Sequence, residues 1–210
     1  MMKPTRGQLI TAFLCLIPLA FLLFEWQNGS LSANPIEALT QRTGRSAVIL
    51  LLASLACTPL RRLLGLSALL PVRKTLGLAA FGYAALHFLV FAGLDFEFNL
   101  SWILPEIRQK FFIQIGLVAL ALLIPLAITS VQKLQRSMAG NWRRLHRLAY
   151  PIMALALWHY YLASKGDILL PLIYLAIFAI LMLFRIPPLS KISIGSKPRA
   201  LQRLNQFLLS

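Results

Sequence analysis

The sequence predicts an all-α integral membrane protein, a six-helix transmembrane bundle with both termini in the cytoplasm. Three observations carry that expectation. The chain is 59% hydrophobic and 13% charged, with a mean hydropathy of +0.74, whereas about 25% of residues are charged in an average soluble domain. Its apolar residues fall into six runs that reach or approach the ~20 residues needed to cross a bilayer. Its basic residues collect in alternate connections between those runs. A length of 210 residues fits one such bundle, a single domain over 1–210, with 185–210 as a basic cytoplasmic tail.

The runs are residues 8–26, 46–60, 75–94, 111–130, 148–163 and 168–184. The first follows Lys3 and Arg6 and precedes Ser32-Ala33, an arrangement shared with secretory signal peptides. It is longer than a typical signal h-region, and Leu31 is a poor residue three positions before such a cut, so it is read as a retained span. The second and fifth runs are short, a mismatch met by snorkelling flanks or local bilayer thinning. Pro18, Pro125, Pro151 and Pro171 lie within runs, which membrane helices tolerate better than soluble ones. No internal repeat or low-complexity tract is visible. Cys15 and Cys57 both lie in apolar runs without ligand-like spacing and read as small buried residues.

Charge sets the orientation. Lys3 and Arg6, then Arg61, Arg62, Arg73 and Lys74, then Lys133, Arg136, Arg143, Arg144 and Arg147, then Arg185, Lys191, Lys197, Arg199 and Arg203 place sixteen of the twenty-one cations on one side. Arg42, Arg45, Arg108, Lys110 and Lys165 remain on the other, with all six acids: Glu25, Glu37, Asp95, Glu97, Glu106 and Asp167. The positive-inside rule puts the first side, with both termini, in the cytoplasm. A net charge of +15 distributed this way points to membrane lipid and topology, and away from nucleic acid.

Ionisable side chains are costly in hydrocarbon, so intramembrane histidines are candidate functional residues. The chain has three histidines. His87 follows Thr75 by 12 residues and His159 follows Leu148 by 11, on two spans that run in the same direction. At ~1.5 Å per residue both stand roughly 16–18 Å above the cytoplasmic ends of their helices. Two imidazoles at matched depth on separate helices suit a planar metal cofactor ligated from both faces: a six-coordinate, electron-transferring haem between spans three and five. Zinc is disfavoured, because no Cys, Asp or Glu lies near that depth to complete its ligand set.

His146 admits two readings. It lies 13 residues before His159, roughly 20 Å along an ideal helix and about 140° off its face. Pro151 could change that angle, or His146 could sit in the turn before the helix. Beside Trp142, Arg143, Arg144 and Arg147 it reads equally as a headgroup-level histidine or as a ligand. A second haem there would need a partner 13 or 14 residues before His87, where Lys74 and Arg73 stand. Those are cations for propionates or phosphates, not iron ligands. Thr43-Gly44-Arg45 precedes span two, with Gly44 expected in a turn and Arg45 available to an anionic group, a partner or the interface. Tyr83, Phe88, Phe91, Trp158, Tyr160 and Tyr161 crowd the histidines and are candidates to wall a porphyrin. The sequence holds no Walker loop, dinucleotide glycine fingerprint or Ser/His/Asp catalytic set.

Several segments in their order resemble the haem-binding membrane subunit of the bacterial periplasmic protein-methionine-sulfoxide reductase system, the MsrQ (YedZ) family, a ferric-reductase-like transmembrane domain. They are Thr43-Gly44-Arg45, Arg73-Lys74-Thr75-Leu76-Gly77-Leu78 leading to Leu86-His87, Leu126-Ala127-Ile128-Thr129-Ser130, and Trp142-Arg143-Arg144-Leu145-His146 followed by Trp158-His159-Tyr160. Relatives in the wider group carry two histidine pairs on two helices; this chain departs in having one histidine on span three. The resemblance implies an inner-membrane electron conduit. Electrons would come from the quinone pool or a cytosolic flavin reductase, pass through haem b, and reach a separate periplasmic molybdopterin subunit that reduces methionine sulfoxide in proteins. It also implies FMN, and it adds His146 to His87 and His159 as a ligand position. The competing class is a small transporter or channel in which the same histidines relay protons; the lack of a carboxylate deep in any span counts against it.

Overall fold

Each of the six apolar runs is helical in the computed structural model, which describes residues 4–164, 166–186 and 199–209. Lys3, Lys165, Lys191, Lys197 and the 187–198 part of the basic tail lie outside the described residues. The helices are α1 (Arg6–Gln27), α2 (Pro35–Leu64), α3 (Leu69–Leu89), α4 (Leu100–Gln109), α5 (Phe111–Ile128), α6 (Gln132–Leu145), α7 (Ala149–Ala163), α8 (Leu169–Leu183) and α9 (Arg199–Leu209). No strand occurs among the described residues. α1, α2, α5 and the stretch Leu69–Asp95 are each long and apolar enough to cross a membrane. The fifth and sixth runs form α7 and α8, helices of 15 residues each.

Local chemistry explains the boundaries. α2 starts eleven residues before the apolar run, because the Asn34 side chain accepts a hydrogen bond from the Glu37 amide at 3.3 Å, Pro35 opens the first turn, and Glu37 complements the helix dipole. It ends at Gly65, whose φ of 68° gives the left-handed cap that glycine adopts without cost. α3 continues through a π-helical turn, Val90–Asp95, and the chain reverses there as the Phe98 amide bonds the Ala92 carbonyl at 2.7 Å. α4 and α6 are polar-flanked helices outside the predicted spans.

The core lies between four helices. Val48, Leu51, Leu52 and Leu55 of α2, Ala80 of α3, Leu123 and Leu126 of α5, and Ile152, Met153 and Leu157 of α7 form one buried cluster. α1 lies outside it against α3, where the Tyr83 hydroxyl donates to the Cys15 carbonyl at 2.8 Å. Its outward face leaves Phe13 68% and Phe21 59% exposed. A large apolar face of that kind has lipid as its natural solvent.

The bundle has two chemically distinct ends. At one, Arg6 lies 5.2 Å from the centre of the Phe207 ring of α9, and Asn205 bonds Ser67 and the Ala68 amide in the α2–α3 turn. Both terminal helices thus meet at this basic end. The other end holds the acids, with the two ion pairs found among the described residues, Arg42–Glu25 and Lys110–Glu106.

Candidate functional site

α3 packs along α2 and α7 along α5, and the two pairs face each other across the core. His87 of α3 and His159 of α7 meet there with ring centres 6.0 Å apart and planes at 78°. Each ring is fixed from behind by a backbone carbonyl of its neighbouring helix. His87 Nδ1 donates to the Thr40 oxygen at 2.8 Å, and His159 Nδ1 donates to the Phe112 oxygen at 2.7 Å. A carbonyl only accepts, so Nδ1 carries the proton in both rings and each Nε2 keeps its lone pair.

The two halves are built alike. Each histidine follows its carbonyl by 47 residues, and a glycine stands one turn beyond each carbonyl. A Cβ on Gly44 would lie 3.0 Å from His87 Nδ1, and one on Gly116 would lie 2.9 Å from His159 Nδ1 and Cε1. The absent side chains let each imidazole press against the helix that orients it. Gly44 is therefore an interior residue of α2, not part of a turn as the sequence suggested. The two glycine–histidine contacts, Gly44 with His87 and Gly116 with His159, share one spacing of 43 residues.

This arrangement fits a metal held from two sides. A ligating histidine generally donates its other ring N–H to a carbonyl or carboxylate, which fixes the ring and raises its basicity. With metal–nitrogen bonds of about 2 Å, two coaxial imidazoles on one ion have ring centres about 6.3 Å apart, close to the observed 6.0 Å. Neither Nε2 has a hydrogen-bond partner among the described residues. No group of three or more His, Cys, Asp or Glu side chains there could complete a metal's coordination. Two nitrogen donors and nothing else suit a metal whose remaining positions a macrocycle fills.

His146 is placed apart. It opens the 3₁₀ turn His146–Leu148, with Pro151 in the first turn of α7 where its missing N–H costs nothing. Of the two sequence readings of its position, the turn is the one observed. Its ring lies against Trp142 with centres 4.2 Å apart and planes tilted by 31°, and its Nε2 lies 3.1 Å from Thr129 Oγ1. The Thr129 hydroxyl donates to the Pro125 carbonyl at 2.6 Å, so it accepts from His146. His146 thus carries its proton on Nε2, the tautomer opposite to that of the facing pair. Burial, and then the nearby Arg73 guanidinium, lower its pKa. Trp142 Nε1 donates to the Thr129 carbonyl at 3.0 Å, which ties the Leu126–Ser130 and Trp142–His146 segments into one unit.

Arg45 lines a cleft of about 180 Å³ between α1, α2 and α3 with Ser46 and Tyr83, and its buried Nε has no partner among the described residues. Arg73 bonds Thr58 Oγ1 at 3.2 Å at the basic end; Lys74 beside it makes no hydrogen bond or ion pair there among the described residues. The aromatics mostly engage other neighbours: Trp158 with Phe111, Tyr160 with Tyr174, Phe88 with Phe91. The ring beside His159 is Phe112, with centres 5.9 Å apart. Sequence reasoning did not find Thr40, Phe112 or Gly116, and it singled out Thr129 only as part of the Leu126–Ser130 segment, with no role. For Gly116 the signal was available: a lone glycine in an apolar helix marks a close approach.

Residues 43–157 match the family described as ferric reductase like transmembrane component. The "Protein-methionine-sulfoxide reductase heme-binding subunit MsrQ" of Rhodospirillum rubrum is 42% identical over 183 residues, covering 87% of this chain and 88% of the relative. The proteins of the same description from Caulobacter vibrioides and Xanthomonas axonopodis pv. citri are 43% and 42% identical, covering 82% and 81% of both chains respectively. With its histidine pair inside the matched region or just beyond it, and with relatives this similar over most of its length, the chain belongs to the MsrQ family of multi-pass membrane proteins.

Proposed function

We propose that this chain binds haem b between spans three and five, with His87 and His159 as axial ligands, and passes electrons outward across the bacterial inner membrane. The acceptor is a separate periplasmic molybdopterin subunit that reduces methionine sulfoxide in oxidised proteins. The donor is the quinone pool or a cytosolic flavin reductase, and FMN belongs to this input side. Residues 1–210 act as one ferric-reductase-like domain of six spans, with both termini in the cytoplasm. The observation that carries the reading is the histidine pair, with ring centres 6.0 Å apart and neither Nε2 hydrogen-bonded among the described residues.

When bound, haem supplies an iron that changes oxidation state by one electron. The residues do the rest. The Thr40 and Phe112 carbonyls hold each Nδ1–H and so hold both rings in the ligating tautomer through the redox change. Gly44 and Gly116 let the rings reach those carbonyls. The apolar cluster of α2, α5 and α7 keeps water from the cytoplasmic side of the pair. The outer-half position shortens the path to a periplasmic acceptor. A proton relay gains no support from this geometry, because both Nδ1 hydrogens are committed to carbonyls. Purified protein should show a haem absorption band that changes on adding dithionite; a colourless protein with full helical content would end this reading.

A further inference from the structure

At the basic end, Arg62, Arg73 and Arg185 come together from three parts of the chain, with Arg61 next to Arg62. Arg185, just after α8, donates to the Leu55 carbonyl at 2.9 Å, reaches the Tyr150 hydroxyl, and lies 4.6 Å from the centre of that ring. Arg73 of α3 donates to Thr58 at 3.2 Å. Leu55, Thr58 and Arg62 follow at helical spacing on one side of α2, so Arg62, Arg73 and Arg185 share that side, and Arg61 adjoins it at its edge. Burial first, then Arg73 and Arg62, push the Arg185 pKa below its ordinary value, as expected of cations packed together. All six acids of the chain lie toward the other end or in its connections.

The patch has unmet donors. Three buried side-chain polar atoms lack a hydrogen-bond partner among the described residues, all of them arginine Nε, and two belong to Arg61 and Arg185. Arginine keeps its charge in such settings, so crowded guanidiniums with unpaired N–H groups call for an anion. The planar fork matches phosphate oxygens two at a time, and phosphate is the anion found at a membrane surface.

We infer that Arg61, Arg62, Arg73 and Arg185 form a phosphoryl-binding site at the basic end, filled by an anionic phospholipid headgroup or by a small soluble phosphate. The inference rests on the reading of this end as membrane-interfacial and not on haem. An interfacial site of this charge draws anionic over zwitterionic lipid.

The test uses the full chain in detergent, with lipid binding read by native mass spectrometry and thermal unfolding read by circular dichroism. Phosphatidylglycerol should bind at least tenfold more tightly than phosphatidylcholine and raise the unfolding midpoint more. The double variant Arg61→Gln/Arg62→Gln should lose tenfold or more of the phosphatidylglycerol affinity. Neither side chain donates a hydrogen bond among the described residues, so the variant should fold; if it does not, the comparison of the two lipids on the parent chain decides. Competition by sn-glycerol 3-phosphate assigns the site to soluble phosphate, and phosphatidylglycerol binding without such competition assigns it to the lipid headgroup. Equal binding of the two lipids, or undiminished phosphatidylglycerol binding by the variant, overturns the inference. The haem assignment survives either result, because haem content is read separately by its absorption band.

Discussion

Replacing Gly116 by alanine puts a methyl group 2.9 Å from His159 Nδ1 and Cε1, inside the distance real Cβ atoms keep. Something must move, and the neighbour is an imidazole, not the free end of a flexible chain. If the ring is pushed off α5, its Nδ1 bond to the Phe112 carbonyl stretches or breaks. A lost hydrogen bond of this kind costs about 0.5–1.5 kcal/mol, and overpacking in a tight core costs about 1–3 kcal/mol. At a metal site, loss of an orienting partner lowers affinity roughly 10–100-fold, about 1.4–2.7 kcal/mol. Gly116→Ala should therefore release haem about 10–100 times faster than wild type, followed by the Soret band as haem passes to excess apomyoglobin. Its midpoint potential should also rise, since a weaker Nδ1–H···O=C bond makes the imidazole a poorer donor to ferric iron. Gly77→Ala is the control within a span: its Cβ would meet Ser54 Oγ at an ordinary 3.5 Å, and haem release should be unchanged. A Gly116→Ala protein that matches the Gly77→Ala control in both release and potential would refute the reasoning.

Other outcomes follow from the same geometry. Gly44→Ala should act on His87 as Gly116→Ala acts on His159, because its Cβ would lie 3.0 Å from Nδ1; haem release rates from both single variants check this. Thr129→Val removes the acceptor of His146 Nε2 and should cost about 0.5–1.5 kcal/mol in unfolding free energy, with the haem spectrum unchanged; denaturant unfolding and optical spectra read the two effects. The depressed pKa of His146 has a definite sign. The unfolded chain binds a proton there at a higher pH than the folded one, so its contribution is present above the unfolded pKa of about 6.5 and is lost as pH falls through that range toward the folded value. Thermal unfolding midpoints between pH 8 and pH 5 should fall less steeply in His146→Gln than in wild type.

The sequence carried the helices and the histidine pair because both depend on rules that need no tertiary information. Apolar length locates spans, and rise per residue places His87 and His159 at one depth, where the rings meet. What holds those rings was not legible. Thr40 and Phe112 contribute backbone oxygens, which any residue could supply, so their part leaves no trace in side-chain identity. Gly44 read as a turn because it precedes the apolar run; the cap at Asn34-Pro35, outside that run, extends α2 to include it. His146 could not be decided by helical phase, because the chain passes through a 3₁₀ turn there and the phase argument no longer applies. Its bond to Thr129 and its ring contact with Trp142 fix where it sits and commit Nε2, while Nδ1 has no hydrogen-bond partner among the described residues.

An optical redox titration with haem quantitation, run on wild type, His87→Ala, His159→Ala and His146→Ala, tests the central claim most directly. The account predicts a six-coordinate haem b band in wild type that titrates reversibly, loss of that band in either pair variant, and its retention in His146→Ala. Full haem content in His87→Ala and His159→Ala, or loss of it through His146→Ala alone, would contradict it.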